Sequence, residues 1–200
     1  MLKLSNATAV LLAGGKSSRM GSDKGLLKLE AKTWAQTAID KMSALSIPIK
    51  ISVNSQQYPD YKLVFPSPDL ITDNTTLSIK GPLLGVISSH VQFPQEDLFV
   101  LACDMPLMES PLLHTLFKNY QQEPSFHAYV FTNEGEAEPL CGIYKASGLS
   151  TILEMLGSGH LSKHSMKFVL DHLATMRIPV ADDQKKFFRN FNAHAELNGL

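Results

Sequence analysis

Residues 8–28 read TAVLLAGGKSSRMGSDKGLLK, and this stretch decides how the rest of the chain is organised. The apolar run ending in Leu11 and Leu12 predicts a buried strand. It breaks at Ala13-Gly14-Gly15 into a segment that carries Lys16, Ser17, Ser18, Arg19, Asp23 and Lys24. Such a segment suits a polyanion. Two glycines let backbone N–H groups approach phosphate oxygens with no Cβ in the way, Arg19 offers a planar fork of donors, and Lys24 supplies a point charge. The guest implied is a nucleoside triphosphate. Two familiar phosphate motifs are excluded: Met20 stands where a Walker A loop starting at Gly15 needs its second glycine, and no G-x-G-x-x-G dinucleotide turn is present.

The rest of the composition narrows the field. A chain of 200 residues, 44% of them hydrophobic, is long enough for one well-buried core and predicts one domain over residues 1–200. A formal net charge of −1 gives no electrostatic case for nucleic acid or an anionic membrane as partner, so any phosphate affinity must be local. Cys103 and Cys141 are too few for a disulfide framework and lack C-x-x-C spacing, which favours buried, reduced thiols. No apolar stretch approaches the ~20 residues of a membrane span, and MLKLSNATAV lacks the layout of a signal peptide. The expected place of action is the cytoplasm.

Along the chain, strand and helix patterns alternate. Thr33 stands where an N-cap is needed, ahead of Trp34, Ala38, Ile39, Met42 and Leu45 at helical spacing. Ile47 to Val53 alternates and is β-branched, predicting a second strand with Asn54 at its C-terminal end, where open α/β sheets hold ligands. Residues 55–80 predict a minor strand around Leu63 to Phe65 and then a long loop through the polar cluster Thr72 to Thr76. Gly81-Pro82 opens a helix running to about Val91. DLFVLAC, residues 97–103, is the best candidate for a central parallel strand, and it delivers Asp104. Ser110 with Pro111 predicts the cap of a helix through Phe117. Strands follow at His127 to Phe131, Leu140 to Tyr144 and Met176 to Val180. Helices are expected at 147–156 and 162–173, and a short one at the C-terminus. This alternation predicts an α/β fold: one Rossmann-like, mixed but mostly parallel sheet with helices on both faces.

A carboxylate at the C-terminal end of the central strand, beside a triphosphate loop, is where a Mg²⁺ ligand is needed, which makes Asp104 the candidate. Other constellations fall away. His160 and His164 are four apart but lack a third zinc ligand, no G-x-S-x-G elbow exists, and Cys103 lies inside an apolar strand where a thiolate is poorly solvated. Asp182-Asp183 and Lys185-Lys186 suit a solvated loop.

The ordered set L-A-G-G-x-S-x-R-M-G-x-D-K at 12–24 resembles the signature of nucleotidyltransferases with the nucleotide-sugar-transferase-like fold. Among these it is most similar to the molybdenum cofactor guanylyltransferases. The resemblance spans nearly the whole chain, through GPLLG at 81–85, ACDMPL at 102–107, EPLCGIY at 138–144 and, in part, 188–192, where Asn190 and Asn192 fit but Ala193-His194 replace the family's Thr-Pro. It implies transfer of GMP from GTP to Mo-molybdopterin with release of pyrophosphate. It assigns Mg²⁺ to Asp104, the departing pyrophosphate and the charge on the α-phosphate to Lys24 and Arg19, and the triphosphate to the amides of Gly14 and Gly15. The backbone at Leu12 and Ala13, with Asn54 and Asp73, would face guanine and ribose, and Gly81 would help enclose the nucleotide. Molybdenum-insertion proteins and molybdoenzyme chaperones are the protein partners it implies. A cytidylyltransferase for the same cofactor, a sugar-phosphate nucleotidyltransferase and a non-catalytic nucleotide-binding protein remain as rivals, because the loop specifies a triphosphate better than a base.

Overall fold

A computed structural model describes residues 6–14, 23–29 and 31–191. Its centre is β1 (Ala7–Leu12), every residue of which is buried. A small antiparallel pair, β2 (Lys28–Leu29) and β3 (Lys32–Thr33), leads into α1 (Trp34–Ser43). Thr33 caps that helix through its side chain, and Gln36 completes a capping box. Then come β4 (Ile49–Val53), α2 (Tyr58–Lys62), β5 (Leu70–Thr72), α3 (Pro82–Gln92), β6 (Asp97–Ala102), α4 (Ser110–Gln122), β7 (Ala128–Asn133), β8 (Glu136–Tyr144), α5 (Ala146–Gly157), α6 (Met166–Asp171) and β9 (Thr175–Pro179).

The strands form one seven-stranded sheet in the order β5-β4-β1-β6-β8-β7-β9. Among the described residues, β8 is the one strand of this sheet that runs antiparallel to its neighbours. The mixed, mostly parallel α/β sheet expected from the sequence is therefore the observed fold. Alternate side chains of β1 enter different cores: Ala9 and Leu11 pack with Ala35 and Met42 of α1 and Leu113 and Leu116 of α4, whereas Val10 and Leu12 pack with Leu83 and Val86 of α3 and Ile152 of α5. Each such aliphatic side chain taken from water contributes roughly 1.5–3 kcal/mol. Among the described residues no helix is long and apolar enough to cross a membrane, and both cysteines are buried and free.

Several elements differ from the sequence expectations. The strand placed near Leu63 to Phe65 lies instead at Leu70–Thr72, and a helix, α2, occupies Tyr58–Lys62. Leu63 is 86% exposed, so the apolar triplet marks a helix end and not a buried strand. Glu109, not Ser110, takes the cap position of α4 without a side-chain bond, because the Ser110 hydroxyl donates to the Lys41 carbonyl of α1. The turn between β7 and β8 shrinks to Glu134-Gly135, both at positive φ. Residues 182–188 form a short 3-10 helix in place of a loop: Asp182, Asp183 and Lys186 are exposed as expected, and Phe188 is buried against Phe131. His160 and His164 lie between helices, and the C-terminal helix expected beyond Phe191 falls outside the described residues.

Candidate active site at the ends of three parallel strands

The register of the sheet sets the site. Leu12 pairs with Ser52 of β4 on one side and Ala102 of β6 on the other, so the three strands end level with one another. Cys103 N–H donates to the Leu12 carbonyl at 3.1 Å, carrying the pairing one step further and delivering Asp104 beside the end of β1. Lys24, on the one-turn 3-10 helix Lys24–Leu26, places its Nζ 3.7 Å from Asp104 Oδ2, with both side chains about a quarter exposed. That distance is an ion pair and not a hydrogen bond. The other oxygen, Oδ1, is buried and has no hydrogen-bond partner among the described residues. Burial pushes the Asp104 carboxyl above its ordinary range, and the Lys24 ammonium opposes the shift. The carbonyl of Asp104 accepts from Phe191 N–H at 3.0 Å, which brings the C-terminal segment to the same place.

This donor set fits Mg²⁺. That ion is held by one or two carboxylates and takes its remaining ligands from substrate phosphates and water. Asp104 offers one carboxylate with an orphaned oxygen, and no cluster of three metal-ligating side chains exists among the described residues.

A second carboxylate, Asp73, lies just past the end of β5. Asp73 N–H donates to the Val53 carbonyl, continuing β5, and its Oδ1 is buried without a partner. Burial raises its carboxyl above the ordinary value. The hydroxyl of Ser52 is likewise buried and unpartnered. Both groups face Gly85 in the first turns of α3: a Cβ there would lie 2.6 Å from Ser52 Oγ, 3.1 Å from Leu12 Cδ2 and 3.7 Å from Asp73 Oδ1. A Cβ on Gly14 would point into the same space, 3.7 Å from Asp73 Oδ2 and from Asn54 N. Glycine at 85 lets α3 pack directly against the ends of β1 and β4.

The structure thus brings Leu12, Ala13, Gly14, Lys24, Asn54, Asp73 and Asp104 to one end of the sheet. Gly15 and Arg19 lie outside the described residues, as does Asn192. Local hydrogen bonds already occupy several of the expected groups. The Gly14 amide is not directed at an anion; it and the Ala13 amide both donate to the Ser52 carbonyl, at 3.0 and 2.9 Å, extending the sheet. The Leu12 and Ala13 carbonyls already accept from Cys103 N–H and Gln57 Nε2, so a base could use only their second lone pairs. The side-chain oxygen of Asn54 is held by the amides of Gln56 and Gln57 at 2.9 Å, making it a turn residue first. Gly81, exposed with φ 71° and nothing within 4 Å of its would-be Cβ, stands at the cap of α3. Gly85, four residues on, packs against Ser52 and Leu12. Gln57, Tyr61, Ser52 and Gly85 are not foreseen by the sequence reading, and only Gly85 carries a sequence signal, as the final glycine of GPLLG.

Comparison with known proteins follows this geometry. The MobA-like NTP transferase domain matches residues 9–175, a span that takes in most of the sheet and Leu12, Lys24, Asp73 and Asp104. The chain belongs to that family. This MobA-like chain is therefore a nucleotidyltransferase. It is 30% identical over 193 residues to a probable molybdenum cofactor guanylyltransferase of Flavobacterium johnsoniae, covering 96% of this chain and 95% of the relative. Its fold is shared with the crystal structure of molybdopterin-guanine dinucleotide biosynthesis protein A from Archaeoglobus fulgidus, at TM-score 0.75 and 20% identity, covering 96% of this chain and 95% of that one. It is shared too with 4-diphosphocytidyl-2C-methyl-D-erythritol synthase from Anaerococcus prevotii, at TM-score 0.69 and 7% identity, covering 98% and 94%.

Proposed function

We propose that this MobA-like chain transfers GMP from GTP to the phosphate of Mo-molybdopterin and releases pyrophosphate. The observation that carries the reading is the approach of Lys24 Nζ to Asp104 Oδ2, 3.7 Å, at the level end of β1 and β6. The guanylyltransferase relative supports the choice of base and acceptor. An acceptor phosphate is already anionic at neutral pH, so in-line attack on the α-phosphorus needs charge neutralised more than it needs a general base. Held by Asp104, Mg²⁺ would supply Lewis-acid neutralisation of the phosphate oxygens. Lys24 and Arg19 stabilise the departing pyrophosphate, and Gly14 and Gly15 give the triphosphate room to approach the backbone. Asp73, with the carbonyls of Leu12 and Ala13 and the amide side of Asn54, faces guanine and ribose. The product then passes, in the cytoplasm, to molybdenum-insertion proteins and molybdoenzyme chaperones.

The test is the initial rate of pyrophosphate release from each of the four ribonucleoside triphosphates, with and without Mo-molybdopterin. Release from GTP that requires the acceptor supports the reading. A preference for CTP would make the chain a cytidylyltransferase, turnover with a sugar phosphate would change the acceptor, and nucleotide binding without product would leave a non-catalytic binding protein.

A further inference from the structure

The residue before Lys24 is fastened by side chains of a different part of the chain. Asp23 Oδ1 accepts from the Tyr61 hydroxyl at 2.9 Å and from Gly25 N–H at 2.9 Å, while Asp23 Oδ2 accepts from Gln57 Nε2. The same Gln57 amide donates to the Ala13 carbonyl at 3.0 Å, and Gln57 Oε1 accepts from Asn54 N–H at 3.1 Å. One carboxamide therefore ties the end of β1 and the end of β4 to Asp23. Tyr61 is fully buried and stacks on Phe65 at 5.8 Å between ring centroids. Its hydroxyl reaches Asp23 across Gly25, where a Cβ would lie 2.0 Å from the phenolic oxygen. Glycine at 25 and tyrosine at 61 are a matched pair.

We propose that Tyr61 and Gln57 are positioning residues for nucleotidyl transfer, acting through Asp23 to fix the direction in which Lys24 leaves its 3-10 turn and so to keep its ammonium at Asp104. The proposal rests on the GMP-transfer reading for the reaction it serves. A displacement of about 1 Å at a charge-stabilising group costs on the order of a hundredfold in rate. Anchoring the backbone at Asp23 removes one source of that displacement. The bonds run from α2 to a residue 38 and 34 positions earlier in the chain, so the fastening also links the end of β4, beside Asp73, to the lysine.

The experiment combines a kinetic cycle with amide exchange. Tyr61→Phe keeps the ring and removes one hydrogen bond to a charged group, so kcat for pyrophosphate release from GTP is expected to fall about tenfold with KM for GTP nearly unchanged. In a Lys24→Ala background the same change should do nothing further. An unchanged kcat, or an equal additional loss on top of Lys24→Ala, overturns the route through Lys24. Without substrate, the Gly25 amide should exchange faster in Tyr61→Phe and in Gln57→Leu than in the wild type, and unchanged exchange in both overturns the fastening. Gly25→Ala should lower Tm, and Tyr61→Phe added to it should restore part of the loss; no restoration contradicts the matched pair. A wild-type protein that releases no pyrophosphate from any triphosphate rejects the GMP-transfer reading instead, and the exchange arm still decides the fastening.

Discussion

Lys24 Nζ stands 3.7 Å from Asp104 Oδ2, joining the 3-10 turn Lys24–Leu26 to the end of β6. The two residues are far apart in sequence and meet because β1 and β6 pair in parallel register, with Leu12 opposite Ala102. Replacing Lys24 by alanine removes one preorganised positive group from a site where charge develops. The expected loss is about a hundredfold to a thousandfold in kcat, with the far-ultraviolet circular dichroism of the wild type retained.

Gly85 carries a packing prediction independent of chemistry. Gly85→Ala places a methyl 2.6 Å from Ser52 Oγ and 3.1 Å from Leu12 Cδ2, an overpacking expected to cost about 1–3 kcal/mol in denaturant unfolding. Ser52→Ala should be neutral or slightly stabilising alone, since it removes a buried hydroxyl with no partner, and it should recover part of the Gly85→Ala loss when the two are combined.

Asp73 predicts a pH dependence. Burial raises its folded-state carboxyl above the ordinary value. Below the ordinary carboxylate range both folded and unfolded chains hold the proton and nothing is lost. As pH rises through the interval between the unfolded and the folded value, the unfolded chain gives up its proton first, so this group makes stability fall. Asp73→Asn removes the fall. The Tm of Asp73→Asn minus that of wild type, measured without nucleotide from about pH 4 to about pH 7, should grow with pH; parallel curves would contradict the assignment.

The Thr33–Gln36 capping box at the start of α1 gives a stability prediction of its own. Thr33→Ala should cost about 1 kcal/mol, a fall in Tm of about 2–4 °C for a chain of this size, and leave kcat unchanged.

Much of this was legible in the sequence where the signal is local. The continuous apolar runs at Ala7–Leu12 and Asp97–Ala102 have the composition of strands buried on both faces, Thr33 announces a cap, and Pro82 opens α3. Asp104 could be named from its place at the end of β6. The helix α2 could not, because Pro59 and the exposed Leu63-Val64 obscure a single turn whose stability comes from Tyr61 packing beneath it. Gln57 and Tyr61 act on Asp23 and Ala13 across more than thirty residues, a relationship no periodicity encodes. The amide of Gly14 was expected at phosphate because glycine permits that approach. The sheet claims it first through Ser52.

The most direct test of the central claim is the Mg²⁺ dependence of pyrophosphate release from GTP and Mo-molybdopterin by wild type and by Asp104→Ala. The wild-type rate should rise to saturation with Mg²⁺, and Asp104→Ala, folded as judged by its circular dichroism, should show no such rise. Full release by Asp104→Ala with an unchanged Mg²⁺ response would contradict the assignment of the metal, and of the triphosphate, to the meeting point of Asp104 and Lys24.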